Sequence, residues 1–397
     1  MNMKSIISIC LLTLLFCTFT SCHKKIEVDS QPIASTIKND KPVLKVFIEN
    51  SGSMDGYMCN GSQLKDAIYD YVSDLNRSTD STELNYINST TIPYKGNLMS
   101  YVKDLNPSSF KEAGGDRQNT DLGNIIATVL DSINKSTVAI FISDCILDLP
   151  SKDAPKFLTN CEIRIKDEII NAQKRIPDLG VEILKLTSDF NGKYFPPTGG
   201  DPITLENIKR PYYIWIFGDK NYLAQLNSKV PLSLLTKYNL EGIVAFSNQS
   251  QIPFEVKNRA LTGKIITPAH GDYQITILAD FRTTLQPDNN ILDKTNYVFH
   301  NSNIIVEGVF PITNNNSEYT HFVNFTIPKG TQINQDCLIL NSPKLPSWIE
   351  ESNDTSGTDI HKNLQKTTGI KCLIQGVADA YKNETICAEM NFNVKLR

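Results

Sequence analysis

Apolar and polar positions follow two different rhythms along this chain, and the change of rhythm marks its organisation. From residue 42 to about 228, short apolar runs alternate with segments of helical period. Val43-Leu44-Lys45-Val46-Phe47-Ile48 reads as a buried strand, and Leu64, Ile68, Tyr69, Val72 and Leu75 line one face of a helix over about 62–75. A hairpin-like pair at 83–88 and 91–94 follows, then a short helix near 98–105, a polar loop entering a helix at 122–133, and a second apolar strand at 137–142. A helix at about 163–175, strands at 181–186 and 212–217 and a helix at 220–226 complete the series. Such alternation predicts a parallel sheet covered on both faces. Residues 42–228 are therefore expected to form a doubly wound, mostly parallel α/β domain. After about residue 235 the runs at 263–266, 273–281, 303–310 and 321–327 are short, rich in β-branched and aromatic residues, and separated by Asn, Pro and Gly. They predict a β-rich domain over 235–397, an antiparallel sandwich or similar, with a late helix at 370–381 and a closing strand at 386–394.

The first residues carry a different pattern. Lys4 precedes an apolar run from Ile6 to Phe16, broken only by Ser8 and Thr13, and Phe19-Thr20-Ser21-Cys22 follows. The run is too short to span a bilayer comfortably and ends in small residues, as in a removable export signal. The last four residues resemble the lipobox of bacterial lipoproteins, with Phe19 where leucine is usual. That resemblance implies a signal peptide at 1–21, lipid on Cys22 and a protein anchored to a membrane of the bacterial cell envelope. The alternative is an ordinary secretory signal in which Cys22 is incidental. Residues 22–41 are polar and aperiodic, which predicts a flexible tether. His23-Lys24-Lys25 includes no acidic run, so nothing there supports surface display.

Charge excludes one class of partner. Lys4 is the single charged residue of 1–21, so removing that segment takes the net charge from −4 to −5. No Lys/Arg stripe marks a nucleic-acid interface. Six cysteines remain after Cys22 (Cys59, Cys145, Cys161, Cys337, Cys372, Cys387). Their wide spacing, without a CxxC pair, argues against a zinc site; it leaves open both disulfides and buried free thiols.

In a parallel α/β sheet, ligands bind beyond the carboxyl ends of the strands. Three polar clusters fall at such places: Glu49-Asn50-Ser51-Gly52-Ser53-Met54 after the first strand, Asn119-Thr120-Asp121 at a helix start, and Ser143-Asp144 after the next core strand. Over residues 42–228 the chain resembles a von Willebrand factor A domain with a metal-ion-dependent adhesion site. That family uses Asp-x-Ser-x-Ser, a later Thr, and an Asp after a further central strand. The matching positions are Glu49, Ser51, Ser53, Thr120 and Asp144. The resemblance implies a divalent cation, Mg2+ or Mn2+, held by hydroxyl and carboxylate oxygens, with a position left open for an acidic group of a protein ligand. Glu49 departs from the pattern: its extra methylene carries the carboxylate about an ångström further into the site. Two arrangements stay open there. Either the carboxylate holds a metal-bound water, or the site has no metal and its serines cap the following turn and helix. Asp55 and Asp121 are near enough in sequence to compensate.

Other chemistry has less support. The five histidines (His23, His270, His300, His321, His361) show no metal-ligand spacing, and each reads as surface or core histidine. Gly-x-Ser-x-Gly is absent, and no histidine lies in the α/β region to activate Ser51 or Ser53. Gly114-Gly115-Asp116 and Gly199-Gly200-Asp201 are not phosphate loops. The run from Arg210 to Gly218 reads as a late core strand with Arg210 at its edge, or as an aromatic partner-binding edge; Trp348 reads as a packing anchor in the β domain. The chain is thus expected to be a non-enzymatic, envelope-anchored protein that binds a protein partner through a divalent ion. The alternatives are a metal-free envelope scaffold or assembly lipoprotein and, with least support, an envelope hydrolase.

Overall fold

The computed structural model describes residues 25–32, 40–59, 61–118, 121–150, 152–257, 265–266, 271–314, 317–382 and 385–396. The first strand, β1 (Ile26–Val28), falls inside the stretch expected to be a tether. Ile26 and Val28 are buried, and β1 pairs antiparallel with the last strand, β19 (Ile386–Leu396), placing Ile26 opposite Leu396. Two apolar residues in alternation are enough to add a short strand to a sheet, so the expected flexibility does not hold for residues 26–28.

A seven-stranded sheet forms the α/β body. It comprises β2 (Val43–Glu49), β3 (Ser81–Ile87), β4 (Thr91–Pro93), β5 (Thr137–Ser143), β6 (Leu179–Tyr194), β7 (Ile203–Asp219) and β8 (Leu240–Ser247), in the order β4-β3-β2-β5-β7-β6-β8. β3, β2 and β5 pair parallel, whereas every other neighbouring pair is antiparallel. The sheet is therefore mixed, and the expectation of a mostly parallel sheet is corrected at β7. No crossover helix separates β6 from β7. Only the short connection 195–202 joins them, and a hairpin connection gives antiparallel strands. β7 consequently slots between β5 and β6.

Helices cover both faces. On one side α1 (Gln63–Ser78), α2 (Leu98–Lys103) and α3 (Pro107–Ala113) pack on Leu44, Val46, Ile48, Val138, Ile140 and Ile142. On the other, α4 (Leu122–Asp131) and α5 (Ala154–Arg175) cover Phe47, Ala139, Phe141, Tyr213, Trp215 and Phe217. α6 (Lys220–Lys229) joins the first face. Alternate residues of β2 and β5 thus feed different cores, as the twofold strand period requires.

The boundary expected near residue 235 is crossed twice. β8 completes the α/β sheet, and the chain returns after the sandwich to add α8 (Ser347–Glu351) and α9 (Ile370–Ala380) to the second core, where Ile370, Leu373 and Val377 are buried. Trp348 packs against Gly242 of β8, which corrects its expected place in the β domain. Between these excursions lies an antiparallel sandwich. One sheet runs β10 (Phe254–Lys257), β12 (Tyr273–Ala279), β15 (His321–Ile327), β14 (Ile305–Pro311). The other runs β11 (Ile265–Ile266), β1, β19, β16 (Gln335–Asn341), β13 (Tyr297–Phe299), with β9 (Ser250–Gln251) joining β19 in parallel. Phe254, Phe299, Phe325 and Phe392 fill the space between the two sheets. The small helix α7 (Asp288–Ile291) and the pair β17 (Asn353–Asp354) and β18 (Thr367–Thr368) complete the described elements used below. Lys220 pins the junction: its buried ammonium donates to the carbonyls of Asn248 and Gln249, both at 3.0 Å, and to Ser250 Oγ at 3.1 Å. Among the described residues no helix is long and apolar enough to cross a membrane.

Two measurements check this architecture. Ile26 and Val28 each bury an aliphatic side chain worth about 1.5–3 kcal/mol. Truncation at residue 30 should therefore lower the unfolding free energy in urea by roughly 3–5 kcal/mol, where loss of a mere tether leaves it unchanged. The second concerns Glu182, a carboxyl buried in the α/β core whose Oε1 accepts from Asn227 Nδ2 at 2.6 Å while Oε2 has no hydrogen-bond partner among the described residues. Burial pushes it up to about 7 from its ordinary 4.5. The folded state then holds a proton that the unfolded chain gives up. The contribution to stability is complete below pH 4.5 and is lost as the pH rises to about 7. Glu182→Gln should match the native protein at pH 4 and exceed it at pH 8, by on the order of 2–3 kcal/mol.

Candidate functional site

The site grows from the ends of two adjacent parallel strands. β2 stops at Glu49 because the next residues turn away: Asn50 N–H bonds the Ile87 carbonyl at 3.1 Å, and Ser53–Tyr57 form one 3-10 turn. β5 stops at Ser143, whose hydroxyl accepts from Cys145 N–H at 2.7 Å and donates to the Glu49 carboxylate. Cys145 sits at φ +53°, so the chain leaves the strand through a left-handed residue.

These turns bring four of the five expected residues together. Ser51 and Ser53 share a hydrogen bond between hydroxyls at 3.0 Å. Ser53 faces Asp144, where its hydroxyl favours the ionised carboxyl. Glu49 is tied to the residue preceding Asp144 through Ser143. Glu49, Ser51 and Asp144 are 2%, 3% and 2% exposed, so the cluster lies beneath the surface with Ser53 at its mouth. Thr120, the fifth, lies outside the described residues, as does Cys22. Asp144 Oδ1 accepts from Ile146 N–H at 3.4 Å, whereas Oδ2 is buried without a hydrogen-bond partner among the described residues. Burial pushes this carboxyl up, and Ser53 and the Arg210 guanidinium draw it partly back.

Sequence reasoning missed the groups that hold this cluster. Arg117 reaches across the loop: Nε donates to the Asn50 carbonyl at 2.7 Å, Nη2 donates to the Ser51 carbonyl at 3.2 Å, and Nη2 also pairs with Asp55. Its own carbonyl accepts from Gly52 N–H at 3.1 Å. Asn50 and Asn88 continue the network inward, with Asn88 Nδ2 donating to Asn50 Oδ1 and to the Gly114 carbonyl, both at 2.9 Å. Arg210 is fully buried rather than at an edge. It lies 4.9 Å from the Tyr194 ring centroid and donates to the Leu364 carbonyl at 3.4 Å. One usable signal was Arg117 following Gly114-Gly115-Asp116, since a charged residue leaving a glycine turn is placed to reach back. Asp55 and Asp121 do not compensate for Glu49: Asp55 is paired with Arg117, and Asp121 caps α4 while pairing with Arg164.

The long β6–β7 hairpin covers one flank. Gly192 lies against Gly56, where a Cβ on either glycine would strike backbone or the Phe190 ring, so close approach requires both to be glycine. Phe195, 41% exposed, lies over Gly52 at the rim. The returning chain closes another flank, with Leu147 N–H bonded to the Thr368 carbonyl at 3.1 Å and Tyr213 Oη to Thr367 Oγ1 at 3.2 Å.

Among the described residues no three His, Cys, Asp or Glu side chains are grouped to share a metal. A cation here would depend on serine hydroxyls beside a single well-placed carboxylate, a donor set suited to a hard ion such as Mg2+ and poor for softer metals. The Asp144 oxygen without a partner among the described residues, with Ser53 facing that carboxyl and Ser51 bonded to Ser53, fits such an ion, while Glu49 is already engaged by Ser143. No protein-family model matches the sequence, and no curated protein matches it either.

Arg117 is the mechanical centre of the loop. Arg117→Ala should cost about 2–3 kcal/mol, because two buried carbonyls and Asp55 lose a charged partner together. Amide exchange should rise at Gly52 while the β5 amides keep their protection. Equal loss of protection across β5 would show that Arg117 supports the whole sheet rather than this loop.

Proposed function

We propose that this chain is an exported, lipid-anchored protein of the bacterial envelope that binds a protein partner through a von Willebrand factor A-like domain, with a divalent cation, Mg2+ or Mn2+, at the ends of β2 and β5. The observation that carries the reading is the buried Asp144 Oδ2, without a partner among the described residues, on a carboxyl that faces Ser53, whose hydroxyl is bonded to that of Ser51. A buried carboxylate oxygen left unpaired costs free energy that a bound cation repays. Ser51, Ser53 and Asp144 would hold the ion, and Glu49 would position Ser143 behind them. When bound, the cation supplies positive charge and an open coordination position for an acidic side chain of the partner. The protein's own groups hold the cavity: Arg117 keeps the loop after β2 closed, and Phe195 offers an apolar rim beside the mouth. The domain reading is supported by the order of the motif residues along the chain and by the parallel core β3-β2-β5 with helices on both faces. The antiparallel β7 is its departure. The lipid anchor at Cys22 and the envelope location rest on the sequence of residues 1–22.

A second reading follows from a specific feature. Glu49 and Asp55 already have partners in Ser143 and Arg117, so the loop is closed without a cation. On that reading the chain is a metal-free scaffold, and partner capture is indifferent to chelator.

Calorimetric titration of Mg2+ and Mn2+ into the chain from residue 23 separates the two readings. Saturable one-site binding, weakened at least about tenfold in both Asp144→Asn and Ser51→Ala/Ser53→Ala, is the expected result. Binding that the substitutions leave unchanged, or no binding, contradicts the cation reading.

A further inference from the structure

α5 and α9 pack with unusual intimacy. A Cβ placed on Gly376 would lie 2.5 Å from the Glu162 carbonyl oxygen and 2.8 Å from Ile165 Cβ, so the two backbones meet where α9 has no side chain. Cys372 precedes Gly376 by one turn, and Cys161 precedes Ile165 by one turn. The two thiols therefore occupy the next layer of the same interface, close enough for each to shift the other's ionisation. Both are free thiols here, at 9% and 8% exposure. Cys372 Sγ also bonds the Gly369 carbonyl at 3.0 Å, and Cys59, Cys337 and Cys387 likewise direct their sulfurs at backbone carbonyls.

We propose that Cys161 and Cys372 are a disulfide site, closed in an oxidising compartment, that clamps the returning helix α9 to α5. The clamp joins positions 161 and 372 around strands β9–β16 and so secures the base of the sandwich. It also steadies β18 and the 353–369 segment that borders the strand ends. The chemistry is thiol–disulfide exchange with a small disulfide oxidant such as oxidised glutathione. Contact with Cys372 draws the Cys161 thiol down, making it the better attacking group. Its thiolate attacks one sulfur of the oxidant and expels one glutathione as thiolate. The Cys372 thiol then loses its proton, attacks Cys161 Sγ in the mixed disulfide and expels the second glutathione. Two protein thiols lose two electrons and two protons, and one glutathione disulfide becomes two thiols. The proposed export would supply the oxidising surroundings, yet the pairing stands on helix geometry alone, and a test on purified protein keeps the two ideas apart.

The reduced full chain is incubated in a glutathione redox buffer, its remaining thiols are alkylated under denaturing conditions, and tryptic peptides are analysed by mass. Expected is a linked pair comprising residues 157–164 and 372–382, with a rise of several degrees in Tm on oxidation. Cys161→Ser and Cys372→Ser should each abolish the linked pair and the rise, while Cys59→Ser leaves both unchanged. Quantitative alkylation of Cys161 and Cys372 after oxidation, or linkage of either to a different cysteine, overturns the proposal.

Discussion

A strand with two apolar faces must be covered on both sides, and Thr137–Ser143 is such a strand, buried at all seven positions. Most of the architecture answers that requirement. The chain lays α1–α3 on one face and α4 and α5 on the other, and after building a sandwich it returns to add α9 to the second face. The hairpin of β6 and β7 pairs with β5 on the side that β2 leaves open. Burial by helices on both faces also explains why the two long sequence regions interleave.

The same constraint creates the candidate site. Where β2 and β5 end, backbone and polar side chains emerge into surroundings that are still mostly buried, and each group must find a partner. Arg117, Asn50, Asn88 and Ser143 satisfy nearly all of them. One remainder is the Asp144 oxygen, whose carboxyl faces the Ser53 hydroxyl, itself bonded to Ser51, and feels the Arg210 charge. Among the described residues Arg210 Nε is also buried without a hydrogen-bond partner, and the unpaired carboxylate oxygen beside a hydroxyl is the reason to look for a ligand there. The network also explains the modest role left to Glu49, whose longer side chain reaches the Ser143 hydroxyl.

Much of the α/β body was legible because it depends on local pattern. The 3.6-residue period of α1 and the continuous apolar runs of β2 and β5 announced their structure and depth, save that Tyr69 of the expected α1 face is exposed and Tyr71 is buried instead, and the closing helix and strand fell where their patterns put them. Pairing depends on distant partners and was not legible. Residues 212–217 look equally apolar in a parallel or an antiparallel slot, and only the short β6–β7 connection decides between them. The strand at Ile26–Val28 was hidden because three residues carry too little pattern to stand out from polar neighbours. At the site, residue types with a known spacing were legible: Ser51, Ser53 and Asp144 do converge. Arg117 and Arg210, which set the local charge, were not, because a long side chain that crosses between elements leaves no periodic trace.

The central claim is that the oxygens of Ser51, Ser53 and Asp144 form a cation site. The most direct measurement is anomalous X-ray diffraction from crystals of the protein soaked in Mn2+. A single strong anomalous peak in contact with Ser51 Oγ, Ser53 Oγ and Asp144 Oδ2 is the predicted result. Crystals that take up Mn2+ elsewhere, or not at all, while this cluster refines with only protein and water neighbours would contradict the claim and favour the metal-free scaffold.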